Sequence, residues 1–322
     1  MTKEEEGQYL IRFLERYLKA APKSFFYKML RKKNIVLNGK KADGKERLLR
    51  GDEITLFLAD ATVDKFKGES EKQVESLKKA SELSIVYEDS MVLVLNKPQG
   101  ILSQKAAKDD ISMVEMIGEY LKKEQAEQNV FKAGICNRLD RNTTGLLVAG
   151  KTVRSLQFLN RLFQDRELKK YYLCLVKGRV SDDKKIAGYL EKSASHNRVR
   201  IYEEERDGSV RIETAYHPLE YFMYQGQEFT LLQVHLITGK SHQIRAHLQS
   251  IGHPVAGDTK YGEKGLYHFF KKEFDVRYQL LHAWKLQLGV PDYLPEKYHG
   301  MEWEAPLPEI FEQTLQKLRG EL

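Results

Sequence analysis

Apolar positions near the start of the chain recur first at helical and then at strand spacing. Between residues 13 and 30 the spacing is helical and is interrupted by an Ala-Pro pair, which predicts two short helices. Residues 35–41 predict a short strand that ends in an Asn-Gly hairpin turn, and residues 51–57 predict another strand. We therefore predict a small αβ domain over residues 1–60.

A longer series of strands and helices follows a polar stretch at residues 61–82. The alternating charges of that stretch and its lack of apolar periodicity are typical of a linker. We predict a second domain over residues 83–322. Its predicted strands are residues 85–89, 91–95, 146–149, 169–178 and 229–237, and its predicted helices are residues 155–167 and 242–251.

Residues 145–152, Gly-Leu-Leu-Val-Ala-Gly-Lys-Thr, match the G-x-x-x-x-G-K-[ST] pattern of a phosphate-binding loop letter for letter. Such a loop must curl so that its N–H groups converge on phosphate. The inner Leu-Leu-Val-Ala instead favours an extended, buried strand. We interpret the match as accidental and keep a P-loop NTPase as the less favoured alternative.

Composition and charge narrow the class of protein. The chain has 322 residues, of which 41% are hydrophobic and 31% charged, as expected for a folded protein long enough for two domains. Its net charge is +7, yet residues 19–50 alone contain eleven Lys or Arg and two acidic residues. The basic excess therefore belongs to the first domain, which indicates a polyanionic partner.

The sequence also bears on the cellular compartment. No stretch approaches the ~18 consecutive apolar residues of a membrane span, and the opening Met-Thr-Lys-Glu-Glu-Glu does not resemble a secretion signal. Cys136 and Cys174 form no Cys-x-x-Cys pair, which suits a reducing compartment. We expect a cytoplasmic protein without a membrane partner.

The segment at residues 137–146, Asn-Arg-Leu-Asp-Arg-Asn-Thr-Thr-Gly-Leu, contains the strongest candidate for chemistry. It sets Asp140 between Arg138 and Arg141 just before a turn, and the adjacent positive charges favour the ionised carboxylate that a nucleophile needs. A solvated aspartate that caps a turn is the ordinary alternative. The choice depends on what the rest of the chain places around Asp140.

A second candidate lies on the predicted helix at residues 242–251, for which Ser241 is the predicted N-cap. Ile244 and Leu248 belong to an apolar stripe, and Arg245 falls beside it, so Arg245 can point into a cleft while packing anchors its helix. A surface salt bridge is the ordinary alternative. The spacing of three nearby histidines does not present two imidazoles on one helical face, so we expect no metal site. These are His242, His247 and His253.

The strand at residues 169–178 supplies an aromatic candidate. Alternation puts Tyr172 and Cys174 on one face and Tyr171 and Leu173 on the other, so one of the two tyrosines should face inward. Such a tyrosine is usually a core residue, but its ring also offers a flat surface on which a flipped nucleobase can stack.

Taken together, these blocks resemble the RluA-type pseudouridine synthases over nearly the whole chain. The matching motifs are residues 95–98, 138–140, 144–145, 170–178, 238–245, 252–254, 281–283 and 304–308. The resemblance implies an α+β catalytic domain with a large mixed, mainly antiparallel sheet and flanking helices. It also implies isomerisation of uridine to pseudouridine in RNA without a cofactor. Within the family, the C-type members that modify large-subunit (23S) ribosomal RNA are the most similar.

The resemblance assigns roles to four residues of this chain. Asp140 is the nucleophile, which attacks either ribose C1′ or uracil C6, and Arg245 pairs with its carboxylate. Tyr172 stacks on the uracil and could help to remove the C5 proton. Arg138 fills the gap left when the target uridine swings out of its helix.

The first domain resembles the small RNA-binding domain named after small-subunit ribosomal protein four, from about residue 8 to residue 60. We expect the partner to be RNA, the protein to be a monomer and no nucleotide cofactor to be used. The residues expected to contact RNA in this domain are Lys23, Lys28, Arg31, Lys32, Lys33, Asn38, Lys40 and Lys41. Those expected to contact RNA in the second domain are Arg138, Lys240, His242 and Gln243.

One position departs from the family pattern, because most members have histidine where this chain has Asn137. If that histidine carried protons, turnover would be impaired here. If it shapes the loop by hydrogen bonding, asparagine can replace it. We favour the second interpretation because Asp140, Tyr172 and Arg245 are all present. A catalytically inactive RNA-binding assembly factor is the alternative.

Overall fold

The computed structural model describes residues 7–18, 21–58, 62, 66, 83–106, 110–124, 134–192 and 198–321. The chain divides into two compact units, Met1–Ser81 and Glu82–Leu322. Except for Thr62 and Phe66, the predicted linker at residues 61–82 lies outside the described residues.

The first unit combines two helices with a small antiparallel sheet. The helices are α1 (Leu10–Tyr17) and α2 (Lys23–Arg31), and the strands are β1 (Ile35–Leu37), β2 (Lys40–Lys41) and β3 (Ile54–Leu56), in the order β2-β1-β3. The predicted helices and hairpin are confirmed. The last strand is shorter than predicted because Asp52 closes a turn before it, accepting a hydrogen bond from the Leu49 N–H at 2.7 Å.

The second unit is built on one large sheet. In the part of the chain that the structure describes, this sheet has eleven strands, nine of them in the order β10-β9-β11-β12-β8-β13-β7-β5-β4, with β14 paired to β13 and β6 paired to β7. The strands are β4 (Ile85–Glu88), β5 (Val92–Lys97), β6 (Gly134–Ile135), β7 (Thr144–Gly150), β8 (Leu168–Lys177), β9 (Lys184–Lys192), β10 (Val199–Tyr202), β11 (Val210–Tyr224), β12 (Gln227–Leu236), β13 (Leu281–Leu288) and β14 (Glu302–Glu304). The helices are α3 (Met113–Glu124), α4 (Val153–Gln164), α5 (Gln243–Ser250), α6 (Lys264–Phe274) and α7 (Glu309–Arg319), with a 3₁₀ turn at Glu296–Tyr298.

Neighbouring strands in the sheet are antiparallel except for β7 and β13, which are parallel. The predicted fold class is therefore confirmed: an α+β unit with a large mixed, mainly antiparallel sheet and flanking helices.

Buried side chains lie on both faces of β8. On one face, Tyr172 and Cys174 join a cluster that includes Ile244 of α5. On the other face, Leu173 and Leu175 join a cluster with apolar residues of α6 and α7. This arrangement confirms the predicted alternation along β8. It also anchors α5 on the same face of the sheet as Tyr172.

Residues 145–152 form a strand and its exit. Every residue of β7 is buried, and residues 145–150 pair in register with β5. Lys151, which a phosphate-binding loop would direct at phosphate, instead places its Nζ 2.5 Å from the Oε1 of Glu88. The predicted buried strand is confirmed, and the interpretation of this segment as a phosphate-binding loop is wrong.

His282 in β13 makes the stability of the second unit depend on pH. Its ring is fully buried, with Nδ1 2.8 Å from Thr144 Oγ1 and Nε2 3.2 Å from the Ala305 carbonyl oxygen. Burial lowers the pKa of His282 to about 4, whereas an unfolded chain gives histidine a pKa of ~6.5. The stabilising contribution of the neutral ring is therefore complete above pH ~6.5 and is lost as pH falls through the lower value.

We expect the free energy of unfolding to drop by about 3 kcal/mol through His282 as pH falls from ~6.5 to ~4. Denaturant titrations at several pH values measure this drop. In His282→Gln the pH dependence should be flatter, because glutamine does not titrate. The control is His268→Gln, which removes an exposed histidine of α6. Equal slopes in the two variants would contradict the assignment to His282.

Candidate active site

Asp140 lies on the loop between β6 and β7, and buried contacts hold this loop in place. The Leu139 N–H donates to the Ser103 hydroxyl oxygen at 2.9 Å, and the same hydroxyl donates to the Leu139 carbonyl at 2.9 Å. The Leu139 side chain packs into the buried cluster that also contains Tyr172. Asp140 itself keeps 24% of its side chain exposed. The loop thus presents a carboxylate that solvent, and hence a substrate, can reach.

Lys97 ties the other side of the loop to the end of β5. Its fully buried ammonium group donates to the carbonyl oxygens of Pro98, Ile101 and Arg141 at 2.8, 2.7 and 3.0 Å. Burial lowers the pKa of Lys97 to about 7, although the nearby charge of Asp140 opposes the shift. One buried amine therefore joins the turn after β5 to the residue that follows Asp140.

Asn137 extends the pairing of the loop with β7. Its Nδ2 donates to the Leu146 carbonyl at 3.0 Å, and its Oδ1 accepts from the Val148 N–H at 2.8 Å. Both polar groups of the side chain are thus used to shape the loop. This geometry agrees with the interpretation that asparagine replaces the family's histidine by hydrogen bonding.

Arg245 is the direct partner of Asp140. Its Nη1 donates to Asp140 Oδ2 at 2.8 Å. The Arg245 side chain is only 7% exposed, and the neighbouring Ile244 and Leu248 pack into the core beneath it. The sequence-based placement of Arg245 beside an apolar stripe is confirmed, and the ordinary alternative of a surface salt bridge does not fit this burial.

Asp258 is a site residue that sequence reasoning missed. It is 1% exposed and accepts hydrogen bonds from Arg245 Nε at 2.6 Å and from Arg245 Nη2 at 2.8 Å. Burial alone would raise the pKa of Asp258, but the hydrogen bonds and charge of Arg245 outweigh it and hold the pKa below its usual value. The guanidinium thus bridges two carboxylates. The only sequence signal for this residue is that Asp258 follows a glycine, Gly257. Asp258 lies thirteen positions after Arg245, and neither helical nor strand periodicity relates two positions that far apart.

Helix α5 begins differently from the prediction. The N-cap is His242, in a left-handed conformation with φ of 56°, and no side chain caps the helix, so the predicted N-cap at Ser241 is wrong. Gln243 closes the turn instead, its Oε1 accepting from the Lys240 N–H at 3.1 Å. Its Nε2 donates to the Glu213 carbonyl and to Thr214 Oγ1, each at 3.0 Å.

The predicted RNA contact from Gln243 is therefore wrong. The residue is 2% exposed, and both ends of its amide are bonded inside the protein. Its role is to join the start of α5 to the sheet.

His242, which we expected to contact RNA, lies beside Asp140. Its Nε2 is 3.9 Å from Asp140 Oδ1, and its Nδ1 is 2.9 Å from the Tyr261 hydroxyl oxygen. Burial lowers the pKa of His242; Arg245 and Lys260 act in the same direction, while Asp140 and Asp258 oppose the shift. The lowered pKa favours the neutral form of the ring.

Tyr172 faces the same cluster as the loop of Asp140 and is 7% exposed. Burial raises the pKa of Tyr172, and the negative charge of Asp140 raises it further. Because both effects disfavour the phenolate, the ring is a neutral aromatic surface near the carboxylate. This environment does not suit a group that must remove a proton.

The remaining predicted contacts of the second unit are on its surface. Arg138 and Lys240 are exposed, on the loops that carry Asp140 and the start of α5 respectively. Because both side chains are exposed, each can bind a polyanion near Asp140 without the free-energy cost of burying its own charge.

In the first unit the predicted basic residues are exposed and surround the buried core. These residues are Lys23, Lys28, Arg31, Lys32, Lys33, Lys40 and Lys41. Lys23 also pairs with Glu15 at 3.2 Å. Asn38 is exposed as well; its Nδ2 donates to Asp52 Oδ1 and its Oδ1 accepts from the Glu53 N–H, each at 2.8 Å. These two bonds brace the hairpin, and the amide keeps a second N–H and a second lone pair, so the contact with RNA stays a prediction.

The three histidines weighed as metal ligands turn to separate partners. His247 Nδ1 lies 3.0 Å from Thr214 Oγ1, and His253 Nδ1 lies 3.0 Å from the Lys177 carbonyl oxygen. Over the described residues, no cluster of His, Cys, Asp and Glu could hold a metal ion.

Among the helices that the structure describes, none is long and apolar enough to span a membrane.

Comparison with known proteins identifies the family. A family model described as RNA pseudouridylate synthase matches residues 91–250, which include Asp140 and Arg245. Ribosomal large subunit pseudouridine synthase C of Vibrio cholerae is 32% identical over 316 residues, which are 97% of this chain and 94% of that protein. The chain belongs to the RNA pseudouridine synthases. The resemblance seen in its motifs is thereby confirmed.

One further relative and one solved structure are also similar to the chain. Ribosomal large subunit pseudouridine synthase D of Nitrosomonas europaea is 34% identical over 255 residues, which are 79% of this chain and 70% of that protein. The solved structure of Human RNA Pseudouridylate Synthase Domain Containing 4 has a TM-score of 0.58 at 20% identity and covers 79% of this chain and 98% of its own. The structural likeness supports the fold of the catalytic unit.

Proposed function

We propose that this pseudouridine synthase isomerises uridine to pseudouridine in large-subunit ribosomal RNA, with Asp140 as its nucleophile. The observation that carries the assignment of Asp140 is its hydrogen bond of 2.8 Å to a buried arginine, Arg245, while the carboxylate stays partly exposed. The relatives of the C and D types are both named for the large ribosomal subunit, which supports the choice of substrate.

The reaction moves the base from a nitrogen to a carbon attachment without a change in redox state. The bond between uracil N1 and ribose C1′ breaks, the base turns, and a bond forms between C5 and C1′. The C5 proton leaves to water and N1 gains a proton, so atoms and charge balance. An ionised carboxylate can form the transient covalent bond to C1′ or to uracil C6. Arg245 holds that carboxylate in place through a charge-assisted hydrogen bond of 2.8 Å.

Tyr172 and Arg138 contribute to holding the substrate. The neutral phenol of Tyr172 supplies a flat face against the uracil, and its raised pKa supports stacking over proton removal. Exposed Arg138, two residues before the nucleophile, occupies the space that the flipped uridine leaves in its helix.

The first unit is proposed to be the RNA-binding domain. Its exposed basic side chains lie around a folded core, so they form a fixed positive surface that suits the phosphates of RNA. We further propose that the protein works in the cytoplasm, as a monomer and without a nucleotide cofactor.

Salt dependence tests the role of this surface. In Lys40→Gln/Lys41→Gln, the slope of log affinity against log salt should decrease in magnitude by about 0.7 to 0.9 for each phosphate that the variant no longer neutralises. Filter binding or fluorescence titration with a ribosomal RNA fragment measures the slope. The matched control, Lys264→Gln/Lys271→Gln on α6, removes the same charge from the catalytic unit. A slope that stays unchanged in the Lys40/Lys41 variant would show that these lysines are only a solvated surface.

The proposed activity is tested with a large-subunit ribosomal RNA transcript that carries tritium at uracil C5. The purified protein should release tritium to water, because C5 loses its hydrogen when it bonds to C1′. Mapping of pseudouridine in ribosomal RNA from cells that lack the protein then identifies the position. RNA binding without any tritium release would favour the alternative, an inactive assembly factor.

A further inference from the structure

The loop that contains Asp258 and Tyr261 contacts both neighbours of Asp140. Asp258 accepts two hydrogen bonds from Arg245, while its Oδ1 also accepts from the backbone N–H groups of Lys260 and Tyr261 at 2.8 and 2.9 Å. The carboxylate is therefore fixed by its own loop. Because Arg245 Nε and Nη2 are both held, the third nitrogen, Nη1, can point in one direction, toward Asp140 Oδ2.

Tyr261 holds His242 in a similar way. The Tyr261 ring lies against the imidazole, with ring centroids 5.6 Å apart, and Arg245 lies over the same ring at 5.2 Å. The Tyr261 hydroxyl oxygen accepts a hydrogen bond from the Val199 N–H at 2.9 Å and lies 2.9 Å from His242 Nδ1. With one of its two lone pairs taken by the Val199 N–H, the phenol still has its own hydrogen to donate, and His242 Nδ1 is an acceptor within 2.9 Å of it.

Donation from the Tyr261 hydroxyl to Nδ1 would set the tautomer of His242. A neutral imidazole carries one N–H, and when Nδ1 accepts, the hydrogen must be on Nε2. Nε2 is the nitrogen that faces Asp140 Oδ1 at 3.9 Å. That distance is longer than a hydrogen bond in the free protein, but such contacts often tighten when substrate binds.

We propose that Asp258 and Tyr261 are positioning residues for the nucleophile. Asp258 orients Arg245 against Oδ2 of Asp140, and Tyr261 orients His242, with its hydrogen on Nε2, against Oδ1. Both oxygens of the carboxylate thus face a donor whose direction is set by residues 258–261. This inference rests on the proposed role of Asp140 as the nucleophile.

Tyr261→Phe tests the part of the proposal that concerns His242. The variant removes one hydroxyl and keeps the ring that packs against Arg245 and His242, so the fold should be retained. In ¹⁵N spectra of the imidazole at neutral pH, the wild type should show His242 with its hydrogen on Nε2, and the variant should show a mixture of tautomers. Single-turnover release of tritium should slow about tenfold, as expected for the loss of one orienting hydrogen bond. RNA affinity should not change.

The matched control is Tyr278→Phe, which removes a hydroxyl from an exposed tyrosine and should leave the tautomer and the rate at the wild-type values. An unaltered tautomer and an unaltered rate in Tyr261→Phe would overturn the role of Tyr261.

Asp258→Asn tests the part of the proposal that concerns Arg245. The rate of the chemical step should fall at least tenfold more than in Tyr261→Phe, with RNA affinity unchanged, because the guanidinium loses its charged anchor. A purely structural role would instead lower the amount of folded protein without changing the rate per folded molecule. If Asp258→Asn does not fold, Asp258→Glu replaces it in the same comparison, because glutamate keeps the charge but moves the carboxylate away from its two hydrogen bonds with Arg245; a wild-type rate per folded molecule in that variant would overturn the role of Asp258.

The experiment separates failure of this inference from failure of the proposed function. A wild-type protein that releases no tritium contradicts the proposed function, while the tautomer of His242 can still be measured. A wild type that is active and a Tyr261→Phe variant that is equally active, with the same tautomer, contradict only the positioning role.

Discussion

Asp140→Asn should abolish the release of tritium from uridine at C5, with a loss of at least about 10⁴-fold in the single-turnover rate. The amide has nearly the same shape as the carboxylate, but it carries no charge and is a poor nucleophile, so the covalent step is lost while binding of RNA remains. Rates are compared at saturating protein, so a change in the affinity for RNA does not alter them.

The surroundings of Asp140 make this variant easy to interpret. Arg245 keeps its two hydrogen bonds to Asp258 when Asp140 is changed, so no buried charge is left without a partner. Asp140 is itself partly exposed. We therefore expect the unfolding midpoint to stay close to that of the wild type.

Asp275→Asn is the matched control for Asp140→Asn, because it changes an exposed aspartate after α6 in a left-handed conformation that asparagine also accepts. Residual activity of Asp140→Asn above one-hundredth of the control would contradict the role of Asp140 as nucleophile.

Periodic features of the fold could be predicted from the sequence. The apolar run within residues 145–150 predicts a buried strand, although the segment matches the phosphate-binding loop pattern letter for letter. The strand prediction is right because the tendency to form a buried strand depends on local composition. Alternation along β8 correctly separated Tyr172 and Cys174 from Leu173 on the opposite face, and helical spacing placed Arg245 beside the stripe of α5. Each of these assignments depends on neighbours within one element.

The contacts that complete the site could not be predicted in this way. Asp258 and Tyr261 reach Arg245 and His242 from a loop, and hydrogen bonds between a loop and a helix have no period in the sequence. We predicted RNA contacts for both His242 and Gln243, which are neighbours in the matching motif at residues 238–245, yet the left-handed backbone at His242 turns the two side chains to different environments.

Arg245→Met should both inactivate the enzyme and destabilise it by about 3–5 kcal/mol, the cost of leaving a buried charge without its partner. The charge in question is that of Asp258, which is 1% exposed and depends on Arg245 for two of its hydrogen bonds. Denaturant unfolding measures the change in stability, and tritium release measures the change in activity. A loss of stability below about 1 kcal/mol would mean that Asp258 finds another partner.

Double variants show which carboxylate causes the instability of Arg245→Met. Arg245→Met/Asp258→Asn should recover about half of the lost stability, since asparagine removes the buried charge while its oxygen still accepts from the Lys260 and Tyr261 N–H groups. Arg245→Met/Asp140→Asn should recover little, because Asp140 is already hydrated in the single variant. Both proteins should stay inactive, since neither restores the cation beside the nucleophile. No recovery in either double variant would show that the buried carboxylate is not the source of the destabilisation, and that Arg245 stabilises the fold through its packing alone.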